Sequence, residues 1–212
     1  MSIALVDLTP TRPAHETSHA LPDFERLLGS QAWARLPAAV QARFGRDAHT
    51  AASVVIYEGT AKVRASWTGR AFAQLCRLVG TPVAPYVGEQ VRMTVRVFAS
   101  ARGIVWERHY DFGRRKCIVR STKELDGEGL VENLGMGLNM RLAVFERDGA
   151  LHFSSKGYFF RVRSLQLHVP DWFLPGATHV VHEDLGAGQF RFAMRTEHRW
   201  FGAMYEQDGI FK

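Results

Sequence analysis

Two cysteines, Cys76 and Cys117, are all that the 212 residues offer for cross-linking. They fall in different elements of the reading below. A disulfide framework is therefore excluded, and buried, inert thiols in a reducing compartment are expected. Long apolar runs are missing too, since none approaches the roughly 20 residues of a membrane-spanning helix. The opening MSIALVDLTPTRP has neither a basic start nor an apolar stretch long enough for a secretory signal, which makes a soluble protein of the cytoplasm the expectation. No segment repeats at a fixed period, and no low-complexity linker divides the chain.

The usual catalytic and cofactor fingerprints are also scarce. Gly135-Met136-Gly137 and Gly186-Ala187-Gly188 lack a third glycine and open no helix after a parallel strand, so neither supports a dinucleotide. Bending of a curved sheet accounts for them. Ser121 has no G-x-S-x-G around it, and Cys117 has no placed histidine. His179, His182 and Glu183 read H-V-V-H-E rather than H-E-x-x-H, and in a strand the two imidazoles point to opposite faces. Neither a metal nor a cofactor is called for.

Negative charge is the scarcer sign: 21 acidic residues face 27 basic ones, for a net charge of +6. Nucleic acid is the partner such a balance raises first. The arginines, however, are dispersed through alternating strand positions and form no run, so no nucleic-acid binding is expected.

What the chain does have is alternation. From Val91 to Glu124, three stretches, VRMTVRVF, GIVWERHYDF and RKCIVRSTKEL, read as consecutive antiparallel strands. In the second, Trp106, Arg108 and Tyr110 share a face with Ile104, which places a cation in the middle of an aromatic surface. Buried alone, such a charge costs several kcal/mol, so it needs a partner. LVENLG supplies a carboxylate in the same situation, Glu132 between Leu130 and Leu134. Ser121 shares its face with Cys117 and Val119, beside that pair.

Residues 1–20 mix Thr, Pro and His without periodicity and read as an irregular arm. Helical spacing follows, with Asp23 capping a short turn and Trp33, Leu36, Val40 and Phe44 spaced along Gln31–Phe44, where Pro37 starts a new turn at its first helical position. Ser53–Trp67 reads as a strand interrupted at Gly59, and Arg70–Gly80 as a short helix with Gly80 as its cap. Asp148-Gly149 between two alternating runs is the strongest hairpin signal, and a second hairpin turns around Gly186 and Gly188. Aromatics gather late in the chain, at Phe159, Phe160, Trp172, Phe173, Trp200 and Phe201, mainly as core. The fold expected is mainly β (α+β), one domain over residues 21–212. It is an antiparallel barrel or strongly curved sheet, calycin-like (lipocalin-like), with two or three short helices in the N-terminal third. A helix-grip fold is the alternative.

The order of LLGSQAWARLPAAVQARF, IYEGTAKV, VWERHYDF, IVRSTKEL, LVENLG, HVPDWFLPG and FRFAMRTEHRWFGAMYEQDGIF resembles a bacterial family catalogued as domain of unknown function four-one-six-six. The likeness runs from about Leu27 to the end. Members occur alone or attached to a saccharopine-dehydrogenase-like module, so the resemblance implies a dehydrogenase-like protein as a partner. It also puts weight on Trp106, Arg108, Tyr110 and Glu132.

The leading expectation is a cavity that holds a small apolar or amphipathic molecule, with its polar or anionic end at Arg108. Trp106 and Tyr110 would form the walls, with Ser121 and Glu132 alongside. Two other readings stand beside it. One is a cofactor-independent isomerase or cyclase using Glu132 as its acid–base group; the other is an interaction domain with a sealed core.

Overall fold

The computed structural model describes residues 21–49, 53–77, 83–163 and 165–212. The N-terminal arm and the proposed cap at Gly80 lie outside the described residues. Three short helices come first: α1 (Phe24–Leu28), α2 (Ser30–Arg35) and α3 (Ala38–Phe44). The single helical stretch expected over Gln31–Phe44 is thus broken in two. Pro37 stands at the N-cap of α3, in extended conformation, rather than inside its first turn. A residue preceding proline is pushed away from helical angles, and Leu36 is extended accordingly.

Strand β1 (Val54–Ala65) leads to α4 (Trp67–Cys76), capped by Ser66, whose Oγ accepts the Gly69 N–H at 3.1 Å. The strands β2 (Gly88–Ala99), β3 (Ile104–Asp111), β4 (Lys116–Asp126), β5 (Gly129–Gly135), β6 (Leu138–Arg147) and β7 (Ala150–Val162) then run up and down. β8 (Leu165–His168), β9 (Ala177–Gly186), β10 (Gln189–His198) and β11 (Gly202–Phe211) complete the set.

Every pairing is antiparallel. β11 pairs with β1, and β6 pairs with β7, so the sheet closes into a ring in chain order; β8 hangs on the outer half of β7. The result is a closed ten-stranded, calycin-like barrel. Closure removes the sheet edges that an open curved sheet would have to protect. The helix-grip alternative falls away, because no described helix exceeds the 10 residues of α4. The Asp148-Gly149 turn joins β6 to β7 with both residues at positive φ, 53° and 75°, as a two-residue hairpin demands.

Gly59 does not interrupt β1. The register shift lies between Ala61 and Val63 instead. A Cβ at position 59 would sit 2.2 Å from the Ile210 carbonyl oxygen and 2.6 Å from the Phe211 ring. The glycine is there so that Phe211, its cross-strand partner, can lie flat across β1.

Phe24, Leu36, Val40 and Phe44 are buried and join the barrel's inward-facing residues in one core. Each such side chain contributes about 1.5–3 kcal/mol on burial. The first three helices thereby plug one end of the barrel, where Arg35 also pairs with Glu146 at 2.5 Å. The other end carries α4, held against β11 by the Ser66 N–H bond to the Met204 carbonyl (3.1 Å), and the segment from Val169 to Gly176.

Candidate functional site

On β3 the pleat directs Trp106, Arg108 and Tyr110 inward, while Glu107 faces out and binds Arg96, Arg120 and His109. On β4 the inward set includes Ser121 and Lys123, and on β5 Glu132 and Leu134. Lys123 and Glu132 are direct cross-strand partners. The barrel therefore brings four polar side chains of three adjacent strands into one buried chain of bonds. Arg108 Nη2 donates to Ser121 Oγ at 3.0 Å, Ser121 Oγ donates to Glu132 Oε1 at 2.6 Å, and Lys123 Nζ donates to the same Oε1 at 3.2 Å.

Arg108, Lys123 and Glu132 line one part of a cavity of about 340 Å³. Its remaining walls are largely apolar, including Phe72, Val95, Leu134, Met140, Phe153 and Phe160. Arg108, Lys123 and Glu132 are its ionisable lining groups besides His182 and weakly acidic Cys76, Tyr158 and Tyr205. Two cations thus face one carboxylate. Burial opposes ionisation of Glu132, but the Lys123 and Arg108 charges and the bonds from Ser121 and Lys123 outweigh it and hold its carboxyl below the usual range. Burial pushes the Lys123 ammonium down, and Arg108 adds to that against the attraction of Glu132. The Lys123 Nζ also sits 5.2 Å from the Trp106 ring and 5.4 Å from that of Phe153.

Three donors or acceptors at this end, Trp106 Nε1, Arg108 Nε and His182 Nδ1, have no hydrogen-bond partner among the described residues. Unmatched polar atoms in a buried wall cost about 1–3 kcal/mol each unless something meets them. Phe44 of the plug touches this group, its ring 5.9 Å from Trp106 and 4.9 Å from His182. The polar end thus rests on the plug. Gly69, Phe72 and Leu75 of α4, with Phe173, Leu174 and Pro175, line the opposite end. Leu75 and Phe173 are also exposed to solvent, so the cavity reaches the surface between them.

Of the five residues singled out in the sequence, Trp106, Arg108 and Glu132 line the cavity. Ser121 is buried and bridges Arg108 to Glu132. Tyr110 is buried as well, but its hydroxyl donates to Gln207 Oε1 at 2.7 Å, and it supports the wall rather than forming it. Lys123 escaped notice although the alternation Cys117, Val119, Ser121, Lys123 points to it directly. His182 was weighed only as a metal ligand. As anticipated, it faces in while His179 faces out, where its ring stacks on His152. Among the described residues no three His, Cys, Asp or Glu side chains converge to hold a metal ion. Cys76 and Cys117 are free thiols, and burial pushes each up to about 11, the range of an unreactive sulfhydryl.

His182 gives the site a pH dependence. Burial first, then the charges of Lys123, Arg43 and Arg108, hold its imidazole well below the ordinary 6.5. Once unfolded, the same histidine takes up a proton below that pH. Stability is therefore complete above about pH 6.5 and declines as the pH falls beneath it. Urea denaturation at pH 7.5 and 5.5 should show this loss, and His182→Phe should reduce it by up to about 1.4 kcal/mol per pH unit. An unchanged pH slope in the variant would mean that the imidazole is protonated in the folded protein.

The family model described as Domain of unknown function (DUF4166) matches residues 36–211, which spans α3 and the whole barrel. No curated protein and no solved structure matches the chain.

Proposed function

The chain belongs to the DUF4166 family, and on the cavity's own residues we propose that it binds a small lipophilic anion, its acidic group between Arg108 and Lys123 and its apolar body toward α4. The observation that carries the reading is the charge count. Two buried cations share one carboxylate at the polar end of an otherwise apolar cavity. An entering carboxylate would neutralise the remaining charge and accept from Arg108 Nε and Trp106 Nε1, both otherwise unmatched. A volume near 340 Å³ falls within the range of small-molecule pockets. The count of described groups also weighs against the acid–base reading. Glu132 Oε1 already accepts from Ser121 and Lys123, and a carboxylate so engaged is a poor proton acceptor. A sealed interaction domain fits less well, because the cavity reaches the surface beside Leu75 and Phe173.

Calorimetric titration with decanoate and with decanol tests this. Decanoate should bind, and the alcohol at least about tenfold more weakly. Arg108→Met should cost decanoate on the order of tenfold or more, the worth of one charge-assisted bond. Equal affinities for acid and alcohol would remove the anion from the proposal.

A further inference from the structure

Apolar side chains are unevenly distributed over the outside of the barrel. Trp67, Leu75, Trp172, Phe173, Trp200 and Phe201 are all more than half exposed, with Trp67 at 74% and Trp172 at 64%. They come from separate parts of the chain but one end of the fold. Trp67 opens α4, which follows the end of β1; Trp172 and Phe173 precede β9; Trp200 and Phe201 form the turn between β10 and β11. In an up-and-down barrel those positions share one rim, the rim opposite the plug. Two of the six, Leu75 and Phe173, also line the cavity, so apolar side chains of this rim lead from the outside into it. Exposed patches of this kind mark interaction sites rather than ordinary surface.

The carboxylates Glu89, Asp111 and Glu197 at this rim are each held by a basic side chain, which leaves cations as the unmatched charges. Arg70, Arg77, Arg163 and Arg199 are exposed there, and none is ion-paired among the described residues. Arg199 instead lies 4.8 Å from the Trp200 ring. The barrel wall is different: its arginines are matched, Arg191 with Asp208 at 2.6 Å, Arg195 with Glu206 at 3.2 Å, and Arg120 with Glu107. A wall of matched charges belongs in water, which separates this barrel from those that span a bilayer with an apolar outer band. Indole rings beside unmatched arginines suit the interface of an anionic bilayer, where the ring enters the headgroup layer and the guanidinium meets phosphate.

We propose that the protein docks end-on, through this aromatic and arginine rim, on the surface of an anionic phospholipid membrane, with the cavity mouth facing the lipid. The docking stands on the rim alone; that cargo passes between bilayer and cavity rests on the lipophilic-anion reading above.

Co-sedimentation of the full chain with vesicles tests it, using phosphatidylcholine alone and phosphatidylcholine with about one third phosphatidylglycerol. The protein should pellet with the anionic vesicles and far less with the neutral ones, and its tryptophan emission should shift to the blue. Trp172→Ser with Trp200→Ser should weaken binding by on the order of tenfold or more. Ile56→Ser, exposed on β1 toward the plugged end, should leave it unchanged. Both tryptophans are solvent-exposed and outside the cavity lining, so the double variant should fold and keep its decanoate affinity. That separates the two proposals: lost decanoate binding with intact vesicle binding removes only the cargo. No pelleting with anionic vesicles, or pelleting indifferent to the rim changes, would overturn the docking. So would sedimentation equilibrium showing a dimer without lipid that the tryptophan changes dissolve, since the rim would then belong to a second copy.

Discussion

Glu132→Gln is expected to be the most damaging change in the charged cluster, lowering the free energy of unfolding by about 3–5 kcal/mol. The reason is the imbalance of the site. Glu132 is the carboxylate that both Lys123 and, through Ser121, Arg108 lean on. Neutralising it leaves two buried cations facing one another across an apolar interior. Arg108→Met is a different matter. It leaves Lys123 paired with Glu132 at 3.2 Å and removes the surplus positive charge, so its cost should stay under about 1.5 kcal/mol. The double variant should be more stable than Glu132→Gln alone, because only Lys123 then lacks a partner. Urea denaturation of the four proteins measures this as one cycle. Effects within about 0.5 kcal/mol of zero for every variant would show that the groups are solvated. Equal, large losses for Glu132→Gln and Arg108→Met would show a balanced structural pair with no charge left for a ligand.

A cation expected to contribute little to folding, yet buried beside an unmatched indole N–H, is what the proposed binding reading requires. Proteins commonly give up some stability where function requires an unsatisfied group. The same asymmetry ties the stability cycle to the decanoate titration. Arg108 should matter more for affinity than for folding, and Glu132 more for folding.

The alternation of hydrophobic and polar residues made the barrel wall legible in the sequence, because a residue's face is fixed by parity once the strand is found. That is why Arg108 and Glu132 could be placed in the interior together. Parity also marks Lys123, two positions beyond Ser121, but a lysine near the end of a strand reads as a surface residue until a cross-strand partner is known, and the partner is set by register. Gln207 and His182 are hidden for a similar reason. Neither has an apolar alternation around it strong enough to set its face, and each is also placed by a strand distant in sequence, Gln207 against Val63 and His182 against Leu151. Closure itself, through β1 with β11, joins residues some 150 positions apart by the register Gly59 with Phe211, and no local pattern carries that information. Gly59 was misread for the same reason. Its requirement comes from a ring on the last strand, not from a bend in its own.

Phe44→Ala should be the most destabilising change in the plug, by about 3–5 kcal/mol, because its ring has few ways to be replaced. It is almost fully buried, with ring centroids 5.4 Å from Phe24, 5.9 Å from Trp106, 5.9 Å from Phe153 and 4.9 Å from His182. Three of those neighbours are cavity-lining residues, so the helix end and the cavity share a partition one ring thick. Truncation leaves a void where neighbouring β strands are hydrogen-bonded in place and cannot collapse inward, which puts the cost at the upper part of the range. It also opens the charged end of the cavity to water, raising the local dielectric around Arg108 and Lys123 and weakening their hold on an anion. Decanoate affinity should therefore fall together with the urea midpoint. Leu75→Ala at the other end, exposed and at the mouth, should change stability by no more than about 0.5 kcal/mol. A Phe44→Ala protein within 1 kcal/mol of the parent, with decanoate binding intact, would mean that the plug is not the floor of the site and that the polar end of the cavity is closed by the barrel alone.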